Sequence, residues 1–156
     1  MRTSILVLAL TRVGHRPSTS LAAGRLEEIR SRFNEVQEAF NDTKESLRAG
    51  DTNSGVSNAE SLLSSIGGMC SFVPDVKDRI QAIPSLQPAW QQVSYWCVEL
   101  PARVMTLKSK IGNEDTSGPL SQVEEGFLKL GDSLKAAYDQ FNEFGKNWQV
   151  ICETCR

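Results

Sequence analysis

The sequence predicts an all-α fold: an antiparallel up-down-up-down four-helix bundle with coiled-coil-like heptad packing. Two observations carry this. Four segments place apolar residues at alternating steps of three and four, the spacing of a bundle seam. Between them stand short stretches of Gly, Asp, Asn, Ser and Pro, which stop and restart helices. Alternating strands would not produce that period.

The first segment reads Leu26, Ile29, Phe33, Val36, Phe40, Thr43, Leu47, with only Thr43 off pattern. The second reads Ala59, Leu62, Ile66, Met69, Val73, Val76, Ile80, Ile83. The third reads Leu86, Trp90, Val93, Cys97, Leu100, Val104, Leu107, Ile111. The fourth begins at Leu120, Val123, Phe127, Leu130 and continues through Leu134, Ala137, Phe141, Phe144, Trp148, Ile151 and Cys155. Gly50 and Gly112 are the expected C-caps of the first and third, and Ser117 and Pro119 start the fourth. IPSLQP at 83–88 is a tight reversal with Ser85 as candidate N-cap. Connections this short favour antiparallel neighbours.

The chain has 156 residues, 40% hydrophobic and 23% charged, with a formal charge of −2. That suffices for one domain with a real core. The balance leaves no electrostatic footprint for nucleic acid. Residues 25–156 read as a single helical-bundle domain, and 1–24 as a flexible arm or targeting segment. Residues 1–25 carry Arg2, Arg12, Arg16 and Arg25 with no acid, and SILVLAL spans Ser4 to Leu10. This start suits a docking arm, a secretory signal or a mitochondrial presequence; without targeting, the default location is cytoplasmic.

The fourth segment is the longest. About 36 residues of helix span roughly 54 Å, against roughly 39 Å for the third. The surplus near Asn147 to Arg156 should project past the reversal, at the end where the first helix starts. SILVLAL could cover Trp148, Ile151 and Cys155 there. Uncovered, they form an apolar strip and a contact surface.

The stretch LQPAWQQVSYWCVELPARV at 86–104 is the richest in the chain. Trp90 and Cys97 fall on the seam and Tyr95 on the outer face. Trp96 lies beside the seam and is a candidate contact residue. CSFVP at 70–74 and CVELP at 97–101 each place proline four residues after cysteine. A mid-helix proline deprives the carbonyl four residues back of its partner. Pro74 and Pro101 are therefore candidate hinges, with Gly67-Gly68 softening the second helix nearby; a plain pair of kinks is the alternative. The second helix breaking at Pro74 would give five helices. In a hairpin about residues 84–85, Cys70 stands level with Cys97, which makes this pair the credible disulfide.

Catalytic chemistry is not expected. His15 is the sole histidine and lies in the arm. Cys152 and Cys155 have CxxC spacing without a second pair at zinc spacing, and they end a helix, where the dipole does not favour a thiolate. Glu27, Glu28, Glu35 and Glu38 interleave with Arg25, Arg30 and Arg32 as a solvated, ion-paired face. Asp51-Thr-Asn53 resembles the opening of a calcium loop, but Leu62 stands where the bidentate Glu belongs. Asn41-Asp42-Thr43 is a glycosylation sequon, relevant only to a secreted chain.

The expected function is a non-enzymatic helical-bundle module acting through protein–protein contacts, with no cofactor. Its partner is another protein or a second copy, and its contact residues are Trp96, Trp148 and Ile151. The alternative is a membrane-active, pore-forming-like or lipid-binding bundle whose helices part at Pro74 and Pro101. The absence of a basic amphipathic face counts against that.

Overall fold

The computed structural model describes residues 15–80 and 83–154, with side chains described for 24–78, 80 and 83–143. The fold is all-α, and no strand occurs among the described residues. Four long helices, α1 (His15–Arg48), α2 (Thr52–Cys70), α4 (Gln87–Lys110) and α5 (Ser117–Thr154), are joined by a seven-residue helix α3 (Val73–Arg79) and a 3₁₀ turn (Pro84–Leu86). α1 packs on α2 and α5, and α4 packs on the same two helices. Helix α1 reaches back to His15, ten residues into the segment expected as an arm. Residues 1–14, with SILVLAL, lie outside the described residues, as does Cys155.

The apolar register forms the core. Leu62, Ile66, Met69, Val76, Ile80, Leu86, Val93, Leu100, Val104 and Leu107 have no accessible surface. Thr43, the one polar seam residue, is equally buried, and its hydroxyl donates to the Ala39 carbonyl at 2.8 Å. A threonine in that rotamer adds its methyl to the core and leaves no orphan donor. Between α1 and α5, the Phe127 ring stacks on Phe33 and Phe40 at centroid distances of 4.9 and 5.4 Å. Trp90 is the exception in polarity: its buried Nε1 has no acceptor among the described residues.

The second apolar segment is not one helix. It stops at Cys70, and α3 starts at Val73. Pro74 therefore sits at the second position of a new helix, where its missing N–H is no loss. The fivefold division holds, and the expectation of a mid-helix Pro74 is corrected. Pro101 does lie inside α4. Ser85 is corrected too: Ile83 and Leu86 occupy the two cap positions, with no side-chain capping bond, because the chain enters α4 through the 3₁₀ turn.

Elsewhere the caps are polar. Asp51 accepts from the Ser54 N–H at 3.0 Å and the Ser54 hydroxyl at 2.8 Å, so the would-be calcium residue is an N-cap. Asp115 accepts from the N–H and hydroxyl of Ser117, both at 3.0 Å. These hydrogen bonds, backbone ones first, hold both carboxyls below their ordinary value of 3.8. A depressed folded pKa adds stability above the unfolded value, and that stability is lost as pH falls through the folded one. The melting temperature should therefore drop as pH is taken below about 3.8. Asp51→Ala with Asp115→Ala should lower the neutral-pH melting temperature and flatten the acid drop, read by circular dichroism melts.

Gly50 and Gly112 are left-handed, with φ of 71° and 84°. A Cβ on Gly112 would also stand 2.7 Å from Thr52 Cγ2. Gly112→Ala should cost about 1–2 kcal/mol from the left-handed conformation alone. Gly67, helical with open space around it, gives the opposite sign, a gain of about 0.5–1 kcal/mol on Gly67→Ala. Paired urea titrations check both.

Candidate functional site

Two places in the fold carry features beyond core packing: the Cys70–Cys97 junction between α2 and α4, and the stretch of α5 that runs past the start of α4.

At the junction, Cys70 and Cys97 are disulfide-bonded, with Cα atoms 5.7 Å apart. Cys70 is the last residue of α2, and the helix gives way at Ser71 and Phe72. The Ser71 N–H bonds back to the Gly67 carbonyl at 3.0 Å and the Phe72 N–H to Met69 at 3.4 Å, which closes the end of α2. The half-buried Phe72 ring then lies under two guanidinium groups, Arg25 at 5.3 Å and Arg32 at 5.2 Å. Arg25 also pairs with Asp75 at 3.2 Å. Arg32 is seated against Gly68, where a Cβ would meet its Nη1 at 3.3 Å. Helical spacing alone places these arginines on a solvated, ion-paired face. Their cation–π role depends on Phe72 arriving from the break, which heptad spacing alone does not reveal.

The disulfide closes a loop with a sequence separation of 27. A loop of that size restricts the unfolded chain by roughly 3–4 kcal/mol. Reduction, or paired Cys70→Ala and Cys97→Ala substitution, should lower the melting temperature accordingly. An unchanged melt in a thiol reductant would show that the bridge contributes nothing.

Trp96, expected as a contact residue, is corrected: it is only 7% exposed. Its ring lies over Gly126 of α5, where a Cβ would stand 3.3 Å from Cζ3, and Arg103 covers it at 4.9 Å. Gly126 removes the side chain that would have kept the indole outside. The glycine stood in the sequence as the only available signal.

At the far end, Ser85 and Pro88 face Asp132 and Gln140 across an open groove of about 440 Å³. Its lining is uncharged apart from Asp132 and holds no nucleophile–base pair. Beyond Gln140, α5 continues over residues 141–154, roughly 21 Å at the α-helical rise. Phe144, Trp148 and Ile151 stand at seam positions of that continuation. The structure thus takes Trp96 into the core, while the side chains of the other two expected contact residues, Trp148 and Ile151, lie outside the described ones.

Among the described residues, no group of three His, Cys, Asp or Glu is placed to hold a metal ion, and no helix is long and apolar enough to cross a membrane. No protein-family model matches the chain, and comparison with curated proteins and with solved structures finds no match.

Proposed function

We propose that this chain is a non-enzymatic, antiparallel up-down-up-down bundle with heptad packing that acts through protein–protein contacts at the end where α5 projects. The antiparallel sense is supported by the contacts along each pair of helices. On α1 and α2, Leu47 lies beside Gly55 and Arg32 beside Gly68. Glu60 meets Lys108 while Cys70 meets Cys97. Arg103 meets the Gln122 carbonyl while Trp96 meets Gly126. Lys44 meets Glu124 while Glu27 meets Tyr138. In every pair one number rises as the other falls.

The observation that carries the contact reading is the length of α5. Ser85, in the reversal, is level with Gln140, so the helix outruns α4 while its apolar register continues through Phe144, Trp148 and Ile151. By the register of the Glu27–Tyr138 contact, α1, which starts at His15, extends alongside that stretch. Past α4 the apolar register therefore keeps one neighbouring helix in place of two, and its open side needs a partner to leave water.

The test is affinity capture with the full chain against Trp148→Glu and, as an off-register control, Gln149→Glu. A partner held by the wild type and the control but lost with Trp148→Glu supports the reading. Vesicle binding that survives Trp148→Glu and falls with Pro74→Ala and Pro101→Ala points instead to the membrane-active alternative.

A further inference from the structure

The outer surfaces of the four long helices differ in charge. α1 and α5 turn acids and bases to solvent, among them Glu27, Arg30, Glu38, Glu124, Lys129 and Asp132. α2 carries one charged residue, Glu60, in its whole length. From Ile80 to Val98 the chain has no charge at all. The one charge on α2 is paired across to α4, where Lys108 binds Glu60 at 2.9 Å. Arg103 and Glu99 lie on the other flank of α4, where Arg103 meets the Gln122 carbonyl and Glu125 of α5. On this charge-poor side, α4 exposes Tyr95 at 52%, Val98 at 75% and Met105 at 61%. These residues, with exposed Ala102 between the last two, step by three, four and three along α4. That is a second apolar register, opposite to the one that faces the core.

We propose that the α2–α4 face is a self-association surface whose occupant is the same face of a second copy. Charge selects that occupant. A face whose charges are internally paired attracts neither a polyanion nor a strongly charged protein, and it lacks the basic residues that favour a lipid surface. It fits an equally neutral face, which a two-fold axis supplies from an identical chain. In that arrangement the raised apolar row of α4 meets the low outer surface of the partner's α2, where Ser64 and Gly67 are exposed. Charge depletion combined with exposed Tyr and Met is the composition of an interface core. Two adjacent helices about 10 Å wide and about 30 Å long offer a footprint of roughly 600 Å². That is the lower limit for a specific dimer, about 1,200 Å² counting both partners. The association is therefore weak and concentration-dependent, and it stands independently of the contact surface at the end of α5.

Sedimentation velocity on the full chain, across the micromolar range, tests this against Val98→Glu, Leu128→Glu and Trp148→Glu. Circular dichroism first verifies that each variant is folded. Val98 is exposed enough that glutamate there does not enter the core. The expected result is a monomer–dimer equilibrium weakened at least about tenfold by Val98→Glu. Leu128→Glu, at the exposed leucine of α5, leaves it unchanged, as does Trp148→Glu. A monomer at every concentration overturns the proposal and leaves the α5 contact reading intact. A dimer lost with Trp148→Glu but kept with Val98→Glu also overturns it, by moving self-association to the α5 end.

Discussion

Burial of one apolar register, continued through every change of backbone between Ala59 and Ile111, is the constraint on which this all-α fold rests. Helix α2 ends, two residues pass, α3 makes two turns, and a 3₁₀ turn leads into α4. Yet Met69, Val73, Val76, Ile80, Ile83, Leu86 and Trp90 are all buried. Each such side chain is worth roughly 1.5–3 kcal/mol when fully withdrawn from water. A backbone hydrogen bond given up at the break is worth roughly 1 kcal/mol. Side-chain packing therefore decides where the chain goes, and helical continuity yields to it. The cation–π clamp on Phe72 and the bridge at Cys70 sit where that concession is made.

This hierarchy explains which parts of the fold were legible in the sequence. Period reports on burial, so the core residues could be read directly, including the fully buried Thr43. Period is blind to whether the backbone stays helical, because the α3 segment keeps the same spacing as its neighbours. Proline was the only clue to the break, and it marked a helix start rather than a flexed helix. Trp96 failed for a related reason: a residue beside the seam is exposed or buried according to the size of what faces it. Gly126 faces it from another helix and thirty residues downstream. The projection of α5 was legible as a difference in helix length. The charge-poor side was equally open to reading, since the hairpin about residues 84–85 already sets the α2 and α4 segments side by side and both are short of charge.

The two surfaces singled out have different physical origins. The proposed α5 surface arises from length: the helix, with its apolar spacing, runs on past the level at which α4 begins. The α2–α4 side arises from composition, with charges assigned to two helices and withheld from the other two. Among the described residues, Trp90 and Trp96 go into packing. Trp90 is the extreme case, buried so fully that its indole N–H is left without an acceptor. The bundle tolerates the unmet donor, worth roughly 1–3 kcal/mol, because a ring of that size fills volume no smaller side chain would.

The Cys70–Cys97 bridge also changes the topology of the molecule. It turns α3, the reversal and the first part of α4 into a covalent ring closed by sulfur. A protease cutting once near the Pro84–Leu86 turn would break the backbone without dividing the protein. The fragments would stay tethered at the level of Cys97, with the seam on either side still in place. A cut at the exposed Pro84–Ser85 step, between the buried Ile83 and Leu86, thus leaves two fragments held by a covalent link while the bond is oxidised and by the apolar seam alone once it is reduced.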